Sequence, residues 1–334
     1  MTYTDTPTDT TMRAIVQDRY GSADVLRLGR VARPQIAENE VLVHVQAAGL
    51  DRGTWHMMVG RPYLLRVLGF GFRRPKNTVP GLDVAGTVAA VGPAVTRFAT
   101  GDEVFGISRG SFAEYAAVRE DKLSRKPATL TFVQAAVVPI SAGTALQALT
   151  DAGKVERGQR VLIIGASGGV GSYAVQLAKA FDAEVTGVAS TAKLDFVTSL
   201  GADHVLDYTS QDFADGTHKY DLILDIAGNS SLSRLRRTLT PTGTLVIVGG
   251  EEGDRWTGGF GRSLRAPLLS PFVTQRLTML ASKERASDQE RLTALIEAGK
   301  VTPSLDGTYP LDSVARAMRH LEAGDVRGKL AITI

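Results

Sequence analysis

The chain predicts an α/β protein, a doubly wound parallel sheet joined to a second, β-rich domain. Three observations carry this expectation. Apolar runs at residues 160–165, 184–189, 221–226 and 244–248 alternate with helical patterns, as βαβ units around a parallel sheet do. Residues 13–17, 40–46, 86–92 and 113–118 are short β-rich runs broken by Gly and Pro, the spacing of a compact barrel or sandwich. A length of 334 residues is enough for two domains, each burying its own core.

Taken in order, residues 1–11 are rich in Thr and Asp and lack both a basic flank and an apolar run. They are expected to be a disordered, solvated tail and not a signal peptide. Residues 12–129 are assigned to the β-rich domain and residues 130–299 to the parallel-sheet domain. The uncharged stretch 127–150 contains Pro139 and Gly143 among several hydroxyl and amide side chains, which favours buried helices over a membrane span. Residues 250–274 interrupt the sheet. There Gly253, Gly258, Gly259 and Gly261 precede an amphipathic run in which Leu264, Leu268, Leu269, Phe272 and Val273 oppose Arg262 and Arg265. Glycines ahead of an apolar face predict a lid or pocket wall; a basic amphipathic helix can also lie on a membrane surface. Residues 311–322 read as a helix and residues 328–334 as a strand returning to the first domain, so residues 300–334 are grouped with residues 12–129.

Composition narrows the function. Hydrophobic residues at 43% and charged residues at 22% exclude global disorder. Lys and Arg total 38 against 35 Asp and Glu, and the dispersed net charge of +3 argues against a nucleic-acid partner. The cysteine count of zero excludes disulfides, a thiol nucleophile and Cys-ligated zinc. His44, His56, His204, His218 and His320 show no spacing that pairs two imidazoles on one helical face, so no metal site is expected. A cytoplasmic protein is the expectation.

The most informative segment is residues 161–179, where a buried strand runs into Gly165, Gly168, Gly169 and Gly171 and then directly into an amphipathic helix. Glycine lets the backbone turn sharply and approach a pyrophosphate, and the helix start offers unpaired N–H groups and a positive dipole end. No Lys-Ser/Thr pair follows, so this is not a Walker loop. The next strand distinguishes the dinucleotides. An NAD site usually ends that strand with Asp or Glu for the ribose hydroxyls; here it ends Ala189-Ser190-Thr191-Ala192-Lys193. A hydroxyl and an ammonium in place of a carboxylate favour NADPH, because they remove repulsion toward a 2′-phosphate and add a charge-assisted partner. The plainer alternative is an N-cap Ser190 with a solvated Lys193.

Further short motifs stand in a fixed order along the chain: Ala47-Ala-Gly-Leu-Asp-Arg-Gly-Thr-Trp55, Val79-Pro-Gly-Leu-Asp-Val-Ala-Gly86, Gly101-Asp-Glu-Val-Phe-Gly106, Gly110-Ser-Phe-Ala-Glu-Tyr115, Ser141-Ala-Gly-Thr-Ala145, Leu200-Gly-Ala-Asp203 and Arg327-Gly-Lys329. With the glycine loop, they make the chain resemble the medium-chain dehydrogenase/reductase superfamily, specifically its zinc-free, NADPH-dependent quinone oxidoreductase branch. The resemblance implies a Rossmann cofactor domain and a GroES-like β-barrel catalytic domain. The zinc-dependent branch carries Cys where Asp51 stands and Gly-His-Glu where Gly81, Leu82 and Asp83 stand. Without a Lewis acid, alcohol oxidation is disfavoured, and hydride addition to an acceptor that delocalises charge needs less help. The resemblance therefore implies quinones or α,β-unsaturated ketones and aldehydes as small-molecule acceptors. An enoyl-thioester reductase and a non-catalytic NADPH-binding sensor or structural protein are the alternatives.

The resemblance also assigns positions. Ser167, Gly168, Gly169, Val170 and Gly171 would cradle the pyrophosphate, and Thr144 would lie beside the nicotinamide. Ser190, Lys193 and Tyr208 would surround the 2′-phosphate, and Ala227, Gly228 and Gly249 would pass the cofactor from the other half of the sheet. Gly328 and Lys329 would close the nicotinamide side, although Asp325 stands where relatives often carry His. The segment 51–63 should line the acceptor pocket. In it Tyr63 is close in spacing to a Tyr that enoyl-thioester reductases use, His56 is a candidate proton relay, and Asp51 is either an acid or a structural carboxylate. Trp55 is expected in the core or pocket wall. Relatives dimerise through the last strand of the cofactor sheet, and residues 276–281 are apolar enough for a homodimer edge unless the preceding insertion covers it.

Overall fold

The computed structural model describes residues 10–228, 230–250 and 260–334. Most of the expected tail, Asn229 and the glycines at 253, 258 and 259 fall outside these residues. Thr11, assigned above to the tail, is instead the first residue of a strand and pairs with Ala32.

The β-rich half begins with a two-stranded antiparallel ribbon, β1 (Thr11–Val16) and β2 (Arg27–Ala32). A larger sheet follows from β3 (Glu40–Leu50), β4 (Asp83–Val91), β5 (Glu103–Ile107), β6 (Tyr115–Arg119) and β7 (Leu123–Arg125). Strand β3 pairs antiparallel with both β4 and β6, and β4 continues through β5 to β7. Alternate residues of these strands bury Val41, Val43, Val45, Val84, Val88, Val104 and Val118 in one core, the two-residue period of a half-buried sheet.

The second sheet contains β8 (Arg160–Ile164), β9 (Glu184–Ala189), β10 (His204–Asp207), β11 (Tyr220–Asp225), β12 (Leu239–Ile247) and β13 (Arg276–Met279). All pairings are parallel, in the order β10-β9-β8-β11-β12-β13. The chain winds outward from β8 to β10 and then crosses back to β11, so the order reverses between β8 and β11. Such a reversal opens a crevice at the carboxyl ends of the strands. Both faces are covered. Val161, Ile163, Leu222 and Val246 pack on one side with Tyr173 and Leu177, while Leu162, Ile164, Ile223 and Leu245 pack on the other with Leu235 and Ala266. Strand β10 was not among the expected runs, because four residues with two apolar side chains are too short for periodicity to register.

Two further strands, β14 (Leu305–Pro310) and β15 (Lys329–Thr333), rejoin the first sheet, β15 lying antiparallel to β3 and parallel to β14. The uncharged stretch forms the helix Pro139–Gln147, almost wholly buried between the two halves, which explains its lack of charge. Among the described residues no helix is long and apolar enough to cross a membrane.

Candidate active site

The glycine loop follows β8 directly. Gly165 adopts φ +87°, a conformation that L side chains rarely take. Gly168 caps the helix Gly169–Ala180, and a Cβ on Gly171 would lie 2.1 Å from the Gly165 carbonyl oxygen. Turn and helix are thus packed backbone to backbone, with Ser167, Gly168, Gly169, Val170 and Gly171 at a helix start suited to an anion. The ends of β11 and β12 press against the same place. A side chain on Gly165 would meet Ala227 at 3.1 Å, and one on Gly249 would meet the Ile226 carbonyl oxygen at 2.4 Å. Gly228 donates its N–H to Asp225 at 3.1 Å.

At the end of β9, Ser190 is half-buried and Tyr208 is largely exposed, its backbone N–H bonded to the Ala189 carbonyl. The Lys193 ammonium reaches across to the other domain, donating to the Gly324 and Val326 carbonyls at 2.5 and 3.0 Å. From that same turn, Arg327 donates to the Ala192 carbonyl at 2.8 Å. Two cations from two domains therefore flank the turn after β9. Arg327 drew notice above only as part of a motif; its place beside Lys193 is a long-range contact with no local signal. The carboxylate at the end of β10, Asp207, is occupied by the hydroxyls of Thr191 and Thr209, which hold its pKa below the usual range.

Gly328 and Lys329 are placed differently from each other. Gly328 donates its N–H to the Ser167 carbonyl at 2.9 Å, fastening the last strand to the glycine loop. The Lys329 side chain, expected to close the nicotinamide side, runs against the loop: a Cβ on Gly169 would lie 3.0 Å from its Cδ. It is 2% exposed, and its ammonium lies 3.3 Å from Asp83 and 3.0 Å from the Ser141 hydroxyl. Asp83 also accepts the Ile140 N–H at 2.8 Å. Burial raises the Asp83 pKa to about 7, against the pull of Lys329 and with a smaller push from the carboxylate of Asp51.

A cleft of about 360 Å³ opens between the domains, with Gly53, His56, Met57, Pro62, Phe70 and Leu82 on one wall. Ile247, Val248, Gly249, Gly250, Ser263, Met279 and Leu280 form the other. Of the side chains expected to act chemically, His56 lines this cleft, with Nδ1 2.9 Å from the Arg61 carbonyl, so that nitrogen carries the proton. Asp51 is buried as the N-cap of helix Arg52–Val59, accepting the Thr54 N–H at 2.7 Å. That arrangement fits the structural alternative. Tyr63 is not among the cleft-lining residues, and its ring lies under the Arg66 guanidinium, 4.7 Å from ring centre to carbon. Trp55 packs on the first domain's core and bonds Glu322. Thr144 lines a separate small hollow with Ile107 and Ser282.

The helix Phe260–Leu269 reverses part of the expectation for this segment. It does wall the cleft, but through Ser263, while Leu264, Leu268 and Phe272 face solvent. The buried stripe holds Ser263 and Ala266; Leu269 and Val273 pack on the sheet. Sequence reasoning did not single out Ser263.

Residues 37–128 match the family model for the alcohol dehydrogenase GroES-like domain, and residues 200–332 match that for a zinc-binding dehydrogenase. The residues at the metal-ligand positions do not fit zinc. Leu82 is apolar, Asp83 is committed to Lys329 and Ile140, and Asp51 caps a helix. The chain is 34% identical to an NADPH-dependent alkenal/one oxidoreductase from Arabidopsis thaliana chloroplasts, over 96% of this chain and 79% of that protein. It is 33% identical to a chloroplastic quinone-oxidoreductase homolog from Spinacia oleracea, over 96% and 98%. Among solved structures, the quinone oxidoreductase from Coxiella burnetii superposes with a TM-score of 0.83 at 28% identity, over 97% of this chain and 99% of the other. A glycine loop set in a parallel sheet, a cleft shared with a GroES-like partner and these similarities agree: the chain belongs to the medium-chain dehydrogenase/reductase superfamily, in its quinone oxidoreductase branch.

Proposed function

We propose that this protein is an NADPH-dependent, zinc-free reductase transferring hydride to quinones or α,β-unsaturated ketones and aldehydes. The observation that carries the proposal is the cleft itself. It adjoins the ends of β12 and the helix after it, it is walled mainly by apolar side chains, and Leu82 stands where a metal ligand would be needed. Bound NADPH supplies the hydride. The backbone of residues 167–171 holds the pyrophosphate, Ser190, Lys193 and Tyr208 take the 2′-phosphate, and Ala227, Gly228 and Gly249 flank the nicotinamide half. Apolar walls exclude water from the acceptor, strengthening any hydrogen bond to its oxygen. His56, the candidate proton relay, lines the cleft.

Following NADPH absorbance with a small quinone, an unsaturated aldehyde and an enoyl thioester tests the proposal. Oxidation with either of the first two is the expected result. Faster turnover of the thioester would transfer the assignment to the alternative reductase, and no oxidation with any acceptor would leave a non-catalytic binding protein. We also propose a two-fold dimer through β13, the edge strand of its sheet, which exposes Leu268 and Phe272 nearby. A membrane surface is the competing occupant of those side chains.

A further inference from the structure

We infer that Ser263 donates a hydrogen bond to the acceptor's carbonyl oxygen as hydride arrives, and that the ion pair of Arg262 with Asp225 fixes it there. The inference rests on the reductase proposal and names a residue that the proposal does not need.

Hydride addition to a conjugated carbonyl drives negative charge onto oxygen, and a donor placed for that oxygen lowers the barrier. Among the described residues lining the cleft, only His56 and Ser263 have side chains with an N–H or O–H. The two stand on opposite walls. Ser263 is 9% exposed, and its hydroxyl has no hydrogen-bond partner among the described residues. Unlike the enclosed, unsatisfied hydroxyls of Ser108, Ser111 and Ser124, it belongs to a residue that lines the cleft. A nearly buried hydroxyl without a partner is costly unless a ligand or water completes it.

The preceding residue holds the serine in place. Arg262 Nη1 lies 2.6 Å from Asp225 and 2.6 Å from the Ser230 carbonyl, and Nη2 lies 3.3 Å from the Gly249 carbonyl. Asp225 is fully buried at the end of β11. One guanidinium thus ties the first turn of the helix to the segments following β11 and β12, the latter being cleft wall. Moving Ser263 would break a largely buried ion pair, which is strongly opposed.

For an enone, hydride with its electron pair adds to the β-carbon, the C=C pair shifts to form the enolate, and Ser263 hydrogen-bonds the enolate oxygen while keeping its own proton. Water then protonates the α-carbon. The sum is enone, NADPH and one proton giving saturated carbonyl and NADP⁺. For a quinone, the same hydrogen bond meets the oxygen of the developing hydroquinone.

The test compares wild type, Ser263→Ala and Ser263→Thr. The alanine variant should lose about 10- to 100-fold in kcat, with KM for NADPH unchanged within about threefold, and threonine should restore most of the loss. The second readout is infrared: the carbonyl stretch of a saturated ketone bound with NADP⁺ should shift to lower frequency in wild type and threonine, but not in alanine. An alanine variant with wild-type kcat, or one whose kcat falls while the carbonyl shift persists, would overturn the inference. If wild type oxidises no NADPH with any acceptor, the reductase proposal fails and takes this inference with it.

Discussion

The Lys193 ammonium is proposed to take the 2′-phosphate, and it already has partners. The Gly324 and Val326 carbonyls already hold it, burial lowers its pKa, and Asp325 and Asp306 oppose that fall. A 2′-phosphate would add the anion that these dipoles only approximate. Charge-assisted hydrogen bonds contribute about 1.5–3 kcal/mol, so Lys193→Ala should raise the KM for NADPH about 10- to 100-fold and leave that for NADH nearly unchanged. Steady-state kinetics with both cofactors checks this, and equal losses would refute the 2′-phosphate assignment. Asp83 makes a prediction about pH. Its folded pKa is raised to about 7, whereas an unfolded aspartate titrates near about 4. Between those values the folded state binds more protons, so this group's contribution to stability falls as pH rises from about 4 to about 7. Urea unfolding across that window should show the slope in wild type and its loss in Asp83→Asn. Parallel profiles would mean that the carboxylate is ionised throughout.

At the scale of elements, the glycine loop tolerates least. A methyl group on Gly171 cannot clear the Gly165 carbonyl at 2.1 Å, so helix Gly169–Ala180 would have to move away from β8. Gly171→Ala should therefore lose most NADPH binding while the far strands stay folded, which fluorescence titration and circular dichroism together would establish. Full affinity in that variant would place the cofactor elsewhere. Helix Phe260–Leu269 shows where periodicity stops being informative. Its apolar residues mark a face, but the neighbouring stripe of Ser263 and Ala266 is the one turned inward, because Arg262 is anchored to Asp225.

Across the whole molecule, the last strand ties the two sheets together near the glycine loop, through Gly328 to Ser167 and through Lys329 to Asp83 and Ser141. The last strand also pairs with β3 in the first sheet, so the C-terminal segment fastens the glycine loop to the β-rich half. Strand β13 leaves one edge of the second sheet unpaired among the described residues. Light scattering at micromolar concentration should give twice the mass of one chain. The mass of a single chain would remove the dimer.

The sequence by itself determined the parallel sheet, the glycine loop between strand and helix, and the hydroxyl and ammonium that stand after β9 in place of a carboxylate. Each is written in contiguous residues, where strand, turn and helix follow from local sterics and hydrogen bonding. The tertiary structure alone decided what those residues face. It paired Lys329 with Asp83 across 246 positions, joined Lys193 to a turn 131 positions away, placed Tyr63 under Arg66 outside the cleft lining and set Ser263 in the cleft wall. A helical period states which side chains share a face. Which face meets the cleft is set by the packing of distant elements, and that is absent from any local pattern.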